Sequence, residues 1–176
     1  MALLKTPICN FGEKANDFRL LSTNNKKLSL KDLKGENGTL IMFICNHCPY
    51  VKAVISPIVK DVLFLEKLGI SSVAIMSNDV KEYPEDSFEN MVSFSKEHNF
   101  SFPYLFDETQ EVAKNYRAVC TPDFFGYNKN LELQYRGRIN TTHPTELGKA
   151  MKLIAKTDKG PEKQIPSMGC SIKWIK

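Results

Sequence analysis

The sequence has no apolar run close to the roughly 18 residues that a membrane-spanning helix needs. Its first residues, MALLKTPICNFGEK, also lack the apolar core of about 7–15 residues and the cleavage site of a secretory signal. The 24 basic residues give a net charge of only +4 and are scattered, so nothing local supports binding to nucleic acid or to a membrane surface. We therefore expect a cytoplasmic protein whose partners include neither nucleic acid nor membrane.

Cysteine is present in an odd number, which does not suit a fully paired disulfide scaffold. The five positions are Cys9, Cys45, Cys48, Cys120 and Cys170. Structural disulfides are disfavoured in a reducing cytoplasm, so two cysteines close together are expected to be catalytic or metal-binding. Cys45 and Cys48 form such a pair within the stretch FICNHCPYVKA at 43–53. A pair of this kind can bind metal, exchange disulfides, attack a peroxide or lie reduced in a core.

The order of the apolar patterns predicts an α/β fold in one domain spanning residues 1–176. Strands are expected at 38–45, 70–76 and 102–106, and two more at 123–139 around an NKN turn. Helices are expected at 50–69 with a kink at Pro57, at 87–98 capped by Ser87, at 109–116, and at 144–156 with Pro144 in the first turn. The tail at 160–176 has no such pattern and is expected to be irregular.

Cys45 and Cys48 lie where a buried strand is expected to end and a helix to begin. Unpaired backbone N–H groups and the helix dipole favour a thiolate over a thiol at such a position. This setting lowers a cysteine pKa from about 8.5 into a range of roughly 3.5–7.5. We expect Cys45 to be the exposed attacking cysteine and Cys48 the buried resolving one. His47, when protonated, would stabilise the reduced thiolate further.

Several stretches resemble the thioredoxin-like superfamily. FICNHCPYV followed far downstream by CTPDFF is similar to the superfamily's active-site motif and its cis-proline loop. GEKANDFRLLSTNNKKLSLKDLKG, LFDETQEVAKNYRAVCTPDFFGYNKN and the late GCSIKWIK resemble its redoxin branch, the alkyl-hydroperoxide-reductase and thiol-specific-antioxidant (AhpC/TSA, peroxiredoxin-like) proteins. The resemblance implies a thioredoxin fold with three α/β/α layers, a central mixed sheet and a redoxin-type N-terminal extension. It also implies a cis peptide bond before Pro122, in a loop that faces the Cys-x-x-Cys motif and pairs with the substrate backbone.

The sequence departs from this pattern at positions that matter for chemistry. Peroxiredoxins carry Pro-x-x-x-Thr-x-x-Cys at their reactive cysteine. If Cys48 is matched to that cysteine, the threonine position holds Cys45 and the proline position holds Ile41. The loop that would carry the stabilising arginine reads Cys-Thr-Pro at 120–122, so the hydrogen bonds that stabilise a peroxide transition state are missing or differently supplied. The strand before the motif also lacks the buried aspartate that thioredoxins keep as a proton acceptor.

The cysteine pair and the resemblance to the thioredoxin-like superfamily together predict a thiol–disulfide oxidoreductase that acts on protein or small-molecule thiols and disulfides. No organic cofactor and no resident metal are required for this chemistry. The residues assigned to the site are Cys45, His47 and Cys48 as catalytic residues and Cys120, Thr121 and Pro122 as substrate-binding residues.

Two other functions stay open at this point. One is a thiol-dependent peroxidase with antioxidant activity, in which a sulfenic acid forms on one cysteine and is resolved by another. The other is a non-catalytic metal-binding module that uses Cys45, Cys48, Cys120 and His47. Cys170 is either a third redox partner that folds back from the tail or a thiol without function.

Overall fold

In the computed structural model, which describes residues 2–176, a seven-stranded mixed sheet forms the centre of the protein. In chain order the strands are β1 Leu3–Lys5, β2 Arg19–Ser22, β3 Lys27–Ser29, β4 Gly38–Phe43, β5 Ile70–Met76, β6 Tyr104–Phe106, β7 Cys120–Thr121, β8 Asp123–Tyr127, β9 Leu133–Tyr135 and β10 Met168–Ser171. The central sheet has the order β3-β2-β6-β5-β4-β8-β9. The pairs β4–β5 and β5–β6 are parallel, and β4–β8 is antiparallel.

Helices cover both faces of this sheet. They are α1 Leu30–Leu33, α2 Pro49–Lys52, α3 Ile55–Glu66, α4 Phe88–Glu97, α5 Glu111–Tyr116 and α6 Glu146–Thr157, with a short 3-10 helix at Pro84–Asp86. Side chains alternate along β4: Leu40 and Met42 pack into the core beneath α3, α4 and α6, and Ile41 and Phe43 into the core beneath α1 and α5. The arrangement is the predicted three-layer thioredoxin fold.

Residues 50–69 form two helices rather than the predicted single kinked one. The helices α2 and α3 are separated by Ala53 and Val54, and the first bond of α3 runs from the Ile58 N–H to the Val54 carbonyl at 3.0 Å. Pro57 lies in the first turn of α3, where backbone N–H groups have no partner within the helix. A helix can therefore begin just before Pro57, although it could not run through that residue without losing a bond.

Helix boundaries elsewhere follow their capping residues. Ser87 caps α4 as predicted, its hydroxyl accepting from the Asn90 N–H at 3.2 Å. Helix α6 begins two residues later than predicted, because the Thr145 hydroxyl accepts from the Gly148 N–H at 2.8 Å and makes Thr145 the cap. None of the helices in residues 2–176 is long and apolar enough to cross a membrane.

The prediction of an irregular tail is wrong for Met168–Ser171, which forms β10. This strand lies between β1 and β7 in a separate three-stranded antiparallel sheet. A Cβ atom on Gly169 would lie 1.9 Å from the Thr121 carbonyl oxygen, so the close approach of β10 to β7 requires glycine. The tail is thereby brought against the loop that precedes β8.

Candidate thiol site

Cys45 and Cys48 follow the carboxyl end of β4, which runs through the middle of the sheet. Cys48 is the N-cap of α2, and Cys45 lies just beyond β4, before that helix. The side chains of both are buried, with only 1% of Cys45 and none of Cys48 exposed. The expectation that Cys45 is exposed is therefore wrong, because other parts of the chain cover both sulfur atoms.

One of these parts is the turn at Thr121 and Pro122, whose peptide bond is cis as predicted. The Cys45 sulfur lies 3.5 Å from the Thr121 hydroxyl, and the Cys48 sulfur lies 3.3 Å from the Thr121 carbonyl oxygen. The turn thus faces the cysteine pair. The backbone of Thr121, which was expected to pair with substrate, is instead paired with Cys170 of β10.

Cys170 is the second part of the cover. Its sulfur lies 3.1 Å from that of Cys48, and both thiols are free. Cys120 is also buried in this region, but its sulfur faces the Pro122 carbonyl oxygen at 3.7 Å. Burial, with the neighbouring Asp123 charge, raises the pKa of Cys120 to about 12, so this thiol stays protonated at neutral pH.

The protonated Cys48 thiol donates to the Thr121 carbonyl oxygen and to the Cys170 sulfur, whereas other groups around it favour its thiolate. The thiol of Cys45 makes the largest contribution to a lowered pKa of Cys48, and side chains of Thr121 and Cys170 and the Val51 N–H add to it, while burial opposes them. The same interaction with Cys48, together with burial and the Asp86 charge, raises the pKa of Cys45. In this arrangement the thiolate is therefore favoured on Cys48 rather than on Cys45.

His47 is tied to a buried carboxylate. Its Nδ1 lies 2.6 Å from Asp86 Oδ2, and its ring stacks on Tyr83 with an interplanar angle of 8°. The contact is an ion pair rather than a well-aligned hydrogen bond. Asp86 is fully buried and also accepts from the Asn46 N–H at 2.8 Å and the Asn78 side-chain amide at 2.9 Å. The Asp86 carboxylate raises the pKa of His47 and so favours the imidazolium.

Asp86 is the residue of this site that sequence reasoning missed. It comes from the 3-10 helix before α4, about forty positions from the motif, and no local spacing connects the two segments. The strand before the motif has no carboxylate, as the sequence indicates, but the fold brings one in from another segment.

The metal-binding set proposed from the sequence is only partly assembled. The potential ligand atoms of Cys45, His47 and Asp86 lie within 4.8 Å of one another, a group that Cys48 and Cys120 do not join. Both oxygens of Asp86 already face donors from the surrounding chain. These three residues therefore form a polar cluster whose carboxylate is occupied by protein groups.

A buried arginine, Arg136, lies near the thiol site but is paired with Asp123. Arg136 makes a bidentate ion pair with Asp123, both N–O distances being 2.9 Å, and its guanidinium stacks over Phe125 at 4.1 Å. Because both partners are buried, the guanidinium is committed to that carboxylate.

The family assignment rests on a long stretch of the chain rather than on the motif alone. The model of the AhpC/TSA family matches residues 11–141. The chain belongs to the AhpC/TSA family. A comparison with curated protein sequences finds no match.

Solved structures are similar to this chain over most of its length. An uncharacterized conserved protein from Geobacillus kaustophilus is 42% identical, with a TM-score of 0.92 and coverage of 99% of this chain and 97% of the other. A hypothetical protein from Sinorhizobium meliloti 1021 is 34% identical, with a TM-score of 0.90 and 97% coverage of both chains. A thiol:disulfide interchange protein of the thioredoxin family from Chlorobium tepidum is 15% identical, with a TM-score of 0.69 over 82% of this chain and 97% of that one, which is a likeness of fold alone.

Proposed function

We propose that this AhpC/TSA-family protein is a thiol–disulfide oxidoreductase whose active pair is Cys45 and Cys48. The observation that carries the proposal is the placement of both cysteines between the end of β4 and the start of α2, opposite the Thr121–Pro122 turn, where Cys45 contributes most to a lowered pKa of Cys48. A cysteine with a lowered pKa is a thiolate at neutral pH, and the thiolate is the species that attacks disulfides.

In the proposed cycle, the Cys48 thiolate attacks one sulfur of a substrate disulfide. A mixed disulfide forms, and the other substrate sulfur leaves as a thiolate. Cys45 then loses its proton and attacks the Cys48 sulfur, which forms the Cys45–Cys48 disulfide and releases the second substrate thiolate. Two electrons pass from the protein to the substrate, and the reverse sequence oxidises a dithiol. These roles of the two cysteines are the reverse of those expected from the sequence.

The neighbouring polar cluster sets when Cys45 loses its proton, which passes to a released substrate thiolate. The ionisable atoms of Cys45, His47 and Asp86 lie within 4.8 Å of one another. Asp86 raises the pKa of both other groups, so it holds His47 as an imidazolium and keeps Cys45 protonated until the mixed disulfide has formed. Once Cys48 is bonded to substrate, its sulfur no longer carries a negative charge. The pKa of Cys45 therefore falls, and Cys45 loses its proton more easily.

Substrate would reach the pair beside the Pro122 turn. A cleft of about 220 Å³ adjoins that turn, and its apolar wall includes Tyr50, Ile139, Ile165 and Met168. Three of these side chains are more than a third exposed, namely Tyr50, Ile165 and Met168. An apolar segment next to a substrate cysteine suits this cleft, which supports protein disulfides and thiols as substrates.

Trapping the mixed disulfide tests this proposal. The double variant Cys45→Ser/Cys170→Ser leaves Cys48 without a resolving thiol, and oxidised glutathione is expected to add one glutathione to Cys48, detected by intact mass and peptide mapping. The matched variant Cys48→Ser/Cys170→Ser keeps Cys45 as the remaining cysteine of the pair. Burial and the Asp86 charge still raise the pKa of Cys45 there, which is expected to slow the addition about tenfold or more. Equal rates in the two variants, or no adduct on Cys48, would contradict the proposal.

A peroxidase is the second candidate, because the family match and the lowered pKa of Cys48 both favour it. The buried arginine, however, is bound by Asp123 and stays with that carboxylate. We expect hydrogen peroxide to oxidise Cys48 more slowly than oxidised glutathione does at equal concentration. Faster oxidation by peroxide, seen as a sulfenic acid trapped with dimedone, would make the peroxidase the better account.

A further inference from the structure

The exchange cycle leaves one thiol of the site unused. Cys170 lies on β10, is 3% exposed, and has its sulfur 3.1 Å from that of Cys48. Sulfur atoms at this distance are in contact, and a modest shift of either side chain brings them to the roughly 2.05 Å of a disulfide. Of the thiols around the pair, Cys170 touches Cys48 directly, whereas the sulfur of Cys120 faces a carbonyl oxygen.

The position of Cys170 is fixed by its backbone. It is paired with Leu3 of β1 on one side and with Thr121 of β7 on the other. The Ser167 hydroxyl also donates to the Pro122 carbonyl oxygen at 2.7 Å, just before the strand. Gly169 allows the backbones to approach, since any Cβ there would meet the Thr121 carbonyl oxygen at 1.9 Å. The contact between Cys48 and Cys170 therefore belongs to a registered strand rather than to a loose tail.

The same strand occupies the backbone edge that a substrate is expected to use. Thr121 pairs with Cys170 where it would otherwise pair with substrate, and the sulfur of Cys170 lies against Cys48, where the substrate sulfur would react. The backbone of β10 and the sulfur of Cys170 thus occupy the positions that we expect for the backbone and the sulfur of a bound substrate.

We propose that Cys170 is an internal exchange partner of Cys48, so that the disulfide passes between Cys45–Cys48 and Cys48–Cys170. This inference rests on the proposed function, because it begins from the disulfide that the cycle produces. The Cys170 thiolate attacks the Cys48 sulfur, a Cys48–Cys170 bond forms, and the Cys45–Cys48 bond breaks. Cys45 leaves as a thiolate and takes up a proton in place of the one that Cys170 lost. The exchange is balanced without any external oxidant or reductant.

This exchange has a consequence for access to the site. With Cys48 bonded to Cys170, β10 is held covalently over Thr121, and the substrate edge is closed until Cys45 or an external thiol attacks the bond. With the Cys45–Cys48 disulfide, only non-covalent contacts hold β10, namely its strand pairing and the packing of Cys170, and a substrate can displace it. The two disulfide isomers therefore correspond to a covered and an openable form of the same oxidation state.

Disulfide mapping of the full-length chain tests the inference. Reduced protein is treated with oxidised glutathione, quenched in acid, alkylated and mapped by mass spectrometry. In Cys45→Ser we expect a Cys48–Cys170 disulfide, and in the wild type both isomers, with Cys45 alkylated in the Cys48–Cys170 form. Cys9→Ser, which removes a free thiol outside the site, serves as the control and is expected to leave the distribution unchanged. The wild-type distribution is informative by itself if Cys45→Ser does not fold.

Gly169→Ala tests whether the Cys48–Cys170 disulfide depends on the close approach of β10 to Thr121. The added methyl group must push β10 away from Thr121, and disulfides are sensitive to such a displacement. We expect the Cys48–Cys170 yield to fall about tenfold or more relative to the wild type, with formation of Cys45–Cys48 unchanged.

The outcomes distinguish the two proposals. If Cys45→Ser and the wild type give no Cys48–Cys170 bond while Cys170→Ser still forms Cys45–Cys48, the internal exchange is wrong and the oxidoreductase stands. If Cys48–Cys170 forms but Gly169→Ala leaves its yield unchanged, the position of β10 does not promote the bond, and our explanation of the exchange is wrong. If neither disulfide forms in any variant, the proposed function itself is wrong.

Discussion

Replacing Cys45 by alanine is expected to raise the pKa of Cys48 by about 1–2 pH units, whereas replacing it by serine is expected to keep that pKa low. The Cys45 thiol makes the largest favourable contribution to the lowered pKa of Cys48. A hydrogen bond to a charged group contributes about 1.5–3 kcal/mol, and one pKa unit corresponds to about 1.4 kcal/mol. A serine hydroxyl at position 45 can still donate to Cys48, and alanine removes that donor.

The ultraviolet absorbance of the thiolate, followed against pH, measures this effect. Each variant is compared with the same variant carrying Cys48→Ser, and the difference curve gives the titration of Cys48 alone. The lowered pKa also stabilises the reduced fold above the unfolded cysteine pKa of about 8.5, and this stabilisation is lost as the pH falls through the folded value. A Cys48 curve that is identical in Cys45→Ala and Cys45→Ser would refute the assignment of Cys45 as the donor.

Two further substitutions test the buried charges. Asp86→Asn is expected to lower the pKa of His47, measured by NMR titration of the imidazole. The ion pair stabilises the fold fully below about pH 6.5 and less as the pH rises through the raised His47 pKa, so the variant should lose most unfolding free energy at acid pH. An unchanged His47 titration would contradict the pairing. Arg136→Met is expected to destabilise the protein by about 3–5 kcal/mol in urea unfolding, since it leaves the buried Asp123 carboxylate unpaired. The partly exposed Arg138 provides the matched control, and Arg138→Met is expected to cost less than about 1 kcal/mol; equal losses would contradict this account of the buried pair.

Much of the fold is visible in local patterns of the sequence. The apolar run before Cys45 predicts the buried strand β4, which is buried along its whole length. Ser87 predicts the start of α4, and the Thr-Pro step at 121–122, taken with the resemblance, predicts the facing turn. These predictions succeed because each depends on neighbouring residues: side-chain alternation, a capping hydroxyl, or a motif of known placement.

The features that the sequence did not reveal all depend on contacts between distant segments. Asp86 reaches His47 from another element, and the polar residues around it carry no spacing signal. β10 is a short strand whose pairing depends on Gly169 fitting against Thr121, which only the assembled backbone specifies. Cys45 is buried against Thr121, another distant residue, so the exposure and the relative pKa values of the two cysteines could not be read from the motif.

The measurement that tests the central claim most directly is a redox titration of the Cys170→Ser protein in glutathione buffers, with each cysteine followed by alkylation and mass spectrometry. We predict that Cys45 and Cys48 lose their alkylation together, as one linked pair with a single midpoint, while Cys9 and Cys120 remain free thiols that are alkylated after unfolding. That midpoint would say whether the protein oxidises or reduces its partners. Cysteines 45 and 48 that stay unlinked across the whole range of buffers would contradict the account.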